Sequence, residues 1–382
     1  MKGMDDTKSL TKTFCDLVKI PSPSGKESAV AEYVKRYLGR MGAEVNTDGA
    51  GRLIGGDQGN LIARIGRGEP RVMFVAHLDT VEDGRRRVRP VIRDGVARSD
   101  GKTILGADNK AAVACLLEAM KKSSRDPRKT PLLAAFTVGE EGGTMGANYL
   151  SIPKGVRFVF DLDGGDGNPS GTFVNGALGR AEFSIRITGK EAHAAASPEK
   201  GRNAIKAAGL IIARLRVGKR ADGSTLNIGR ISGGGLMNVV PGNALIEGET
   251  RDFDLKGIER SLKEIRGVAE KVCGATGCRC LFSTNLKSGS FDPPFSVAPQ
   301  SRIADLARKS DRGAGLRFSL VKCSGTLQAN HLALKGREVL GLISGSKLAH
   351  SKSEYVRLSE MANTKKLILE IIRNVGGSES GE

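Results

Sequence analysis

The sequence has few aromatic residues and no long apolar run. It contains no tryptophan, four tyrosines and twelve phenylalanines among 382 residues, so platforms on which nucleic-acid bases could stack are scarce. Its longest apolar runs, such as PLLAAFTV, are far shorter than the roughly 20 residues that a membrane-spanning helix needs. The N-terminal stretch MKGMDDTKSLTKTF is charged and lacks the apolar segment of a signal peptide. These absences predict a soluble cytoplasmic protein with no membrane partner.

Cysteine is also sparse, with six residues in the chain. A disulfide framework is not expected in a long cytosolic chain. Three of the cysteines lie in CGATGCRC, residues 273–280, but a fourth ligand at a spacing familiar from zinc sites is missing. We therefore expect free thiols in preference to a cysteine metal site.

Acidic residues are outnumbered, since 60 lysines and arginines face 42 aspartates and glutamates and give a formal net charge of +18. Such a surplus permits contacts with nucleic-acid phosphates. The densest basic cluster, DGRRRVRP at residues 83–90, is short and has no interleaved aromatic residue. A solvated basic surface is therefore favoured and specific nucleic-acid binding is not expected. A non-catalytic nucleic-acid-binding or scaffold protein is the remote alternative.

Strands alternate with helices in both terminal parts of the chain. Short apolar runs predict buried strands at VMFVA, LLAAFTV, RFVF and EVLGLIS, and NKAAVACLLEAM predicts a largely buried helix. A further helix is predicted in SGKESAVAEYVKRYLGRMG, where Ser24 and Glu27 have the spacing of a capping box. This alternation predicts an α/β fold with a mainly parallel sheet and helices on both faces.

The middle of the chain has a different pattern. From AEFSIRIT to RCLFSTNL the order of predicted elements is βαββαβ, the ferredoxin-like arrangement. We therefore interpret residues 178–287 as a smaller, inserted domain. Residues 1–177 and 288–382 then form the larger domain.

Residues of the kind that bind metals follow the predicted strands of the larger domain. In an open α/β sheet, ligands bind beyond the carboxyl ends of the strands. The residues found there, together with one at the start of the helix NKAAVACLLEAM, are His77, Asp79, Asp108, Glu140, Glu141, Asp161, Asp163 and His350. Carboxylates that crowd together raise one another's pKa or require cations. Two imidazoles with carboxylates suit zinc, or less selectively cobalt or manganese, so the pattern predicts a metal site at one edge of the sheet.

Six motifs in order carry a family resemblance. They are AHLDTV, GADNKAA, TVGEEGG, DLDGG, GKEAHAAASPEKGRNAI and AHSKSE. Over roughly residues 10–375 the chain resembles the co-catalytic zinc aminoacylase/carboxypeptidase family of metallopeptidases, nearest its peptidase T-like branch. The resemblance implies a zinc exopeptidase-like catalytic domain with an inserted lid domain, in agreement with the element pattern.

The resemblance also implies a site with two zinc ions, with cobalt or manganese as substitutes. It implies that Asp108 bridges the two metals and is followed by a cis peptide bond. His77 and Asp163 would complete the protein ligands of one metal, and Glu141 and His350 those of the other.

Catalytic and substrate-binding residues are implied in the same way. Glu140 would be the general base, and Asp79 would orient the histidine ligand that precedes it. His193, on the lid, would donate a hydrogen bond to the oxyanion. Asn238 and Arg251 match lid positions that contact substrate in relatives.

Two positions depart from the family pattern. Relatives often read GGSDAN or GGLDAN where this chain reads SGTLQAN, so Gln328 stands in place of an acid. Relatives commonly have glycine where this chain has Ala195. Neither position is a metal ligand, and both are expected to bear on substrate contacts.

The activity that the resemblance implies is hydrolysis of short peptides by a dinuclear zinc exopeptidase, with cleavage of tripeptides from the N-terminus as the leading interpretation. A carboxypeptidase, or a deacylase of N-acyl amino acids, on the same scaffold is the alternative. In several relatives the lid histidine comes from a partner subunit, so a homodimer through residues 178–287 is a further expectation.

Overall fold

The structure is a computed structural model that describes residues 2–82, 85–126, 131–143, 145–163, 167–288 and 291–376. The chain divides into two compact units. The first comprises residues 1–177 and 296–382, and the second comprises Leu178–Phe295.

The helices and strands are numbered in chain order. The helices are α1 (Lys2–Val18), α2 (Ser28–Gly39), α3 (Ala50–Ile54), α4 (Ala107–Ser123), α5 (Met145–Tyr149), α6 (Ala204–Arg214), α7 (Leu255–Thr276), α8 (Arg302–Ala314), α9 (Gln328–Ala333) and α10 (Leu358–Gly376). The strands are β1 (Glu44–Thr47), β2 (Leu61–Ile65), β3 (Val72–His77), β4 (Val91–Arg93), β5 (Val96–Arg98), β6 (Leu132–Thr137), β7 (Phe158–Asp161), β8 (Thr172–Ala177), β9 (Gly179–Thr188), β10 (Gly218–Lys219), β11 (Thr225–Gly233), β12 (Asn243–Asp252), β13 (Arg279–Thr284), β14 (Phe295–Ser296), β15 (Ser319–Cys323), β16 (Glu338–Leu342), β17 (Ser346–Lys347) and β18 (Tyr355–Arg357).

A mixed sheet forms the centre of the first unit. Its strand order is β1-β2-β6-β3-β7-β16-β8-β14, and β15 pairs with β8. Strands β6, β3, β7 and β16 run parallel to one another, whereas β1 and β2 add antiparallel pairs at one edge. Every residue of β3 and β6 is buried, as in a sheet that is covered on both faces. The predicted α/β class with a mainly parallel sheet is confirmed.

Helix α4 lies in the interior of the first unit. It packs against β3 and contacts α1 and α10. Most of its side chains are buried, as expected of a helix that is apolar on all sides. Lys110 on this helix is also buried, and its Nζ donates a hydrogen bond to the carbonyl oxygen of Ile20 at 2.6 Å. Lys110 thus ties the first turn of α4, which contains Asp108, to the segment that follows α1.

The second unit is an antiparallel sheet with helices on one face. Its strand order is β10-β11-β12-β9-β13. On β9, Phe183, Ile185 and Ile187 are buried and alternate with less buried residues, the period-2 pattern of a sheet with one covered face. Helices α6 and α7 pack on that face. The βαββαβ order predicted from the sequence is present, and the structure adds the two-residue strand β10 before β11.

The second unit continues beyond residue 287, where the sequence pattern placed its end, and closes at Phe295. The reason is a pairing between two segments that are distant in sequence, which the pattern of apolar residues does not predict. Asp292 exchanges backbone hydrogen bonds with Arg180, and its carboxylate lies 2.9 Å from Nε of the same arginine. The returning chain is therefore held against the start of β9.

The predicted capping box at the start of α2 is not formed. The helix begins at Ser28, and Glu27 occupies the N-cap position without a side-chain capping bond. The Ser24 hydroxyl instead donates to Oδ2 of Asp79 at 2.6 Å, and Glu27 accepts the N–H of Gly139. The capping prediction was wrong because both side chains find partners that are distant in sequence.

The described part of the chain contains no helix that is both long and apolar enough to cross a bilayer. All six cysteines are free thiols. Cys273, Cys278 and Cys280 do not form a candidate metal group among the residues that the structure describes. Residues 83 and 84 of the basic cluster lie outside the described residues, whereas the side chains of residues 85–87 are exposed.

Candidate metal centre

The carboxyl ends of three parallel strands meet at one edge of the central sheet. β3 ends at His77, which pairs with Thr137 at the end of β6. β7 lies on the other side of β3 and ends at Asp161. The segments that follow these strands carry Asp79, Glu140, Glu141 and Asp163. Because parallel strands end at the same edge, this topology brings together side chains that are distant in sequence.

His77 is buried and has contacts at both ring nitrogens. Its Nδ1 lies 3.0 Å from the backbone oxygen of Asp79 and 3.4 Å from Oδ1 of the same residue. Its Nε2 lies 3.3 Å from Oδ1 of Asp108 and 4.0 Å from Oδ2 of Asp163. A proton on Nδ1 satisfies the Asp79 carbonyl, so the lone pair on Nε2 faces the carboxylates. Metal-ligating histidines require this orientation.

Asp79 connects His77 to the neighbouring turn. Its Oδ1 accepts the N–H of Glu140 at 3.1 Å, and its Oδ2 accepts the N–H of Glu141 at 2.9 Å. Burial opposes ionisation of Asp79, but the His77 ring, the Ser24 hydroxyl and the Glu141 N–H hold the pKa of its carboxyl below the ordinary value. The charged carboxylate therefore fixes both the histidine ring and the turn at residues 140–141.

Asp108 lies between the two histidines of the site. Its Oδ1 faces Nε2 of His77 at 3.3 Å, and its Oδ2 faces Nε2 of His350 at 3.4 Å. The peptide bond from Asp108 to Asn109 is cis, as the family resemblance implies. Burial opposes ionisation here too, but the two imidazoles keep the pKa of Asp108 well below the ordinary value. A carboxylate with a different histidine on each oxygen has the geometry of a bridging ligand.

His350 and Glu141 form the other half of the cluster. Nε2 of His350 lies 3.1 Å from Oε1 and 3.0 Å from Oε2 of Glu141. The backbone of His350 is left-handed, with φ of 62°, a conformation that non-glycine residues seldom adopt and that functional sites often contain. Contacts with Asp108 and Glu141 raise the pKa of His350 to about 10. This part of the site is therefore strongly negative.

Glu140 lies at the start of the same turn and shares a candidate metal group with His77 and Glu141. Burial raises the pKa of Glu140 well above its ordinary value. The His77 ring opposes this rise, and the carboxylates of Asp163 and Glu141 add to it. Several carboxylates and two imidazoles thus share a small volume, and divalent cations stabilise such a cluster.

Among the residues that the structure describes, three overlapping groups of side chains have ligand atoms close enough together to hold a metal ion. They are His77–Glu140–Glu141, His77–Asp108–Asp163 and Asp108–Glu141–His350, and in each group the ligand atoms lie within 4.8 Å of one another. Ligand atoms about 2.0–2.1 Å from a tetrahedral zinc ion lie about 3.3 Å apart. The distances from Asp108 to the two histidines, 3.3 and 3.4 Å, agree with that spacing. The donors therefore fit two divalent ions that share Asp108.

The three residues proposed from the sequence to contact substrate, His193, Asn238 and Arg251, belong to the second unit. His193 is exposed, and its Nδ1 accepts the N–H groups of Ala195 and Ala196 at 3.2 and 3.1 Å. Its backbone lies beside the segment that carries Asn238, whose carbonyl oxygen accepts the N–H of Ala194 at 2.9 Å.

Arg251 lies on β12 of the second unit and is already paired. Its Nε lies 2.8 Å from Oε1 of Glu249, and its Nη2 lies 3.3 Å from Oε2 of the same residue. The guanidinium therefore holds a carboxylate through two parallel hydrogen bonds, the arrangement in which arginine binds anions most selectively.

Similarity to known proteins identifies the family. The chain matches the model of peptidase family M20/M25/M40 over residues 73–374. It belongs to this family. It is also 30% identical over 376 residues to the protein YqjE of Bacillus subtilis, and the match covers 97% of this chain and 99% of that relative.

Solved structures place this M20 protein near peptidase T. The crystal structure of the aminopeptidase PepT from Bacillus cereus is 30% identical, covers 97% of this chain and 98% of its own, and has a TM-score of 0.88. A tripeptidase from Staphylococcus aureus is 28% identical, covers 97% and 99%, and has a TM-score of 0.88. The resemblance to the peptidase T-like branch is confirmed, and the M20 protein is a hydrolase that acts on peptides.

Gln328, which replaces an acid common in relatives, is fully buried in the M20 protein. Its Nε2 donates to Oδ1 of Asp161 at 3.1 Å, and its Oε1 accepts a hydrogen bond from the Thr137 hydroxyl. Thr137 and Asp161 are the last residues of β6 and β7, so Gln328 joins two strand ends beneath the candidate ligands. The Gln328 amide donates this hydrogen bond to Asp161, and an ionised carboxylate at position 328 has no hydrogen with which to do so.

Proposed function

We propose that the M20 protein is a dinuclear zinc aminopeptidase that removes the N-terminal residue from short peptides, tripeptides in particular. The observation that carries the proposal is Asp108, whose two oxygens face the Nε2 atoms of His77 and His350 at 3.3 and 3.4 Å. The likeness to an aminopeptidase and a tripeptidase supports this substrate class.

The ligand set of the proposed enzyme is divided around Asp108, which would bridge the two ions. His77 and Asp163 would complete one set, and Glu141 and His350 the other. Imidazole and carboxylate donors in these numbers favour zinc, with cobalt and manganese as substitutes. When bound, such ions lower the pKa of a coordinated water and polarise the scissile carbonyl group.

Glu140 is the general base of the proposed reaction. Its carboxylate takes a proton from the attacking water and passes it to the nitrogen of the leaving amine. Asp79 holds the ring of His77 at Nδ1 and the backbone of Glu140 at its N–H. Asp79 therefore fixes the position of the proposed ligand His77 relative to that of the proposed base Glu140.

Substrate contacts are proposed for three residues of the second unit. His193 donates from Nε2 to the carbonyl oxygen as negative charge develops there. Asn238 and Arg251 contact the peptide. Because Arg251 is paired with Glu249 at 2.8 Å, it binds a substrate carboxylate by exchanging one anionic partner for another.

The proposed substrate class is tested with a panel of compounds and the metal-loaded protein. The panel contains tripeptides, dipeptides, N-acyl amino acids and C-terminally extended peptides. We expect the highest kcat/KM for tripeptides, with release of the N-terminal residue, and no cleavage when the tripeptide amine is acetylated. A preference for N-acyl amino acids, or release of the C-terminal residue first, would overturn the aminopeptidase assignment in favour of a deacylase or a carboxypeptidase.

The metal content provides a prediction that does not depend on substrate. After reconstitution with zinc or cobalt, elemental analysis should give two ions per chain, and chelation should lower the free energy of unfolding by about 2.7 kcal/mol for an ion present at about 100 times its dissociation constant. His350→Ala should reduce the content by about one ion, and Asp108→Asn should reduce it by more. Fewer than one ion per wild-type chain would contradict the proposed centre.

We also propose that the protein is cytoplasmic and forms a homodimer through the second unit. Six free thiols are consistent with a reducing compartment. In the second unit, Leu281 on the edge strand β13 is 62% exposed and Met237 is 95% exposed, and exposed apolar side chains of this kind suit a protein–protein contact. Light scattering of the purified protein distinguishes a dimer from a monomer.

A further inference from the structure

Two buried glutamates of the first unit, Glu27 and Glu354, lie close to the candidate metal centre without belonging to it. Their relative exposure is 0% and 1%. Neither is a member of the candidate metal groups formed by the described residues. Carboxylates are seldom buried without strong partners, so the partners of these two residues indicate what they do.

Glu354 binds the backbone of the loop that leads into Asp108. Its Oε2 accepts the N–H groups of Leu105 and Gly106 at 2.8 and 2.7 Å, and its Oε1 accepts the N–H of Asp108 itself at 2.9 Å. Glu354 also follows His350 by four residues in the chain. It therefore joins the segments that carry two candidate ligands, Asp108 and His350.

Glu27 binds the backbone of the loop that leads into Glu140. Its Oε1 accepts the N–H of Gly139 at 3.0 Å and the N–H of Gly25 at 2.8 Å. The next two N–H groups, of Glu140 and Glu141, are bound by Asp79. Three consecutive amides of this turn are thus held by two buried carboxylates.

Each of the two loops contains a glycine with a left-handed backbone conformation. Gly106 has φ of 71° and Gly139 has φ of 68°, in the left-handed region that glycine adopts readily. A glycine backbone also has more conformational freedom than any other, so a loop built on it holds no side chain in place by itself. Hydrogen bonds from the amides of these glycines to a buried carboxyl group that is itself held in place restrict this freedom.

We propose that Glu27 and Glu354 are positioning residues that divide the site between them, Glu354 aligning Asp108 for metal binding and Glu27 aligning Glu140 for proton transfer. The inference rests on the proposed function, because it takes Asp108 as a metal ligand and Glu140 as the base. Neither glutamate contacts the reacting atoms, so each acts through the backbone of its own loop.

This division of roles predicts that variants of Glu354 lose metal affinity and that variants of Glu27 lose turnover. Glu354→Ala should weaken cobalt binding about 10- to 100-fold, the range found when residues that hold metal ligands are removed. Glu27→Ala should leave cobalt affinity within about threefold of wild type, because the N–H of the ligand Glu141 on the same turn is held by Asp79 and not by Glu27. It should lower kcat about tenfold or more, with KM changed less than about threefold, because Gly139, which Glu27 holds, directly precedes the base.

The experiment measures cobalt affinity by absorbance titration and calorimetry, and kcat and KM on a tripeptide, for the full-length protein. Glu27→Gln keeps the one oxygen that accepts the N–H groups of Gly25 and Gly139, so it should recover most of the loss seen in the alanine variant. Glu354 accepts amides on both oxygens, so Glu354→Gln keeps an acceptor on one side only and should recover less. If an alanine variant fails to fold, the glutamine variant of the same residue is measured in its place. Glu44→Gln, on the exposed surface of β1, is the matched control and should equal wild type in both measurements.

The division would be overturned if Glu354 variants bound cobalt as wild type does, or if Glu27 variants lost metal and kept kcat. Equal effects of both substitutions on both measurements would also overturn it, because a general loss of stability predicts that result. A wild-type protein that binds no cobalt or cleaves no peptide would instead count against the proposed function. The two failures are therefore distinguishable.

Discussion

Replacing Glu140 with glutamine is expected to lower kcat by about 10²- to 10⁴-fold, the range for loss of a positioned acid–base group. Glutamine has nearly the same size and keeps the backbone N–H that Asp79 binds at 3.1 Å. It has no carboxylate with which to take a proton from water. The turn should therefore keep its shape while proton transfer is lost.

The metal content of the Glu140→Gln variant is the second measurement. Both ions should stay bound, because Asp108, Asp163, Glu141 and the two histidines are unchanged. Glu32→Gln, at an exposed position on α2, is the control for loss of a glutamate charge and should have wild-type kcat. A Glu140→Gln variant with near-normal kcat would exclude Glu140 as the base, and one that loses an ion would make Glu140 a ligand.

The strand ends of the first unit show what the sequence can predict. VMFVA is apolar throughout, and LLAAFTV is apolar except for Thr137, because β3 and β6 are buried on both faces. The polar residues that follow these runs mark where each strand ends. The parallel arrangement then places His77 and Glu140 at one edge without further information. On β9, Phe183, Ile185 and Ile187 alternate in the sequence with less buried residues, and the structure buries these three on one face of the sheet.

The sequence pattern does not predict contacts between loops that are distant along the chain. Ser24 and Glu27 have the spacing of a local capping box, but their side chains bond to Asp79 and Gly139, 55 and 112 residues away. A spacing rule describes only local competition for backbone amides. In this fold Ser24 binds a distant acceptor, the Asp79 carboxylate, and Glu27 binds a distant donor, the Gly139 N–H. Gln328 is a second case, because its partner Asp161 precedes it by 167 residues.

The hydrogen bonds of the His193 ring indicate its tautomer, which the sequence motif does not. Its Nδ1 accepts two backbone N–H groups, from Ala195 and Ala196, so a neutral ring carries its proton on Nε2. The exposed nitrogen is therefore a hydrogen-bond donor. This is the tautomer that stabilisation of a developing oxyanion requires.

His193→Ala is accordingly expected to lose about 2.7–4 kcal/mol of transition-state stabilisation, which corresponds to a fall of about 10²- to 10³-fold in kcat. The loss should appear in kcat more than in KM, because the hydrogen bond strengthens only as the oxyanion forms. Since His193 lies in the second unit and the candidate ligands lie in the first, both ions should remain bound and the unfolding temperature should stay near that of wild type.

Ala195→Gly is the matched control for His193→Ala, because it keeps the N–H that His193 accepts at 3.2 Å and restores the residue common in relatives. Its kcat should stay within about twofold of wild type if the backbone amide, and not the methyl group, sets the tautomer. An effect of the lost methyl group on substrate contacts would appear in KM. A His193→Ala variant with unchanged kcat and raised KM would identify the histidine as a ground-state binding residue. In that case the second unit would contribute affinity for the peptide, and stabilisation of the oxyanion would have to come from the first unit alone.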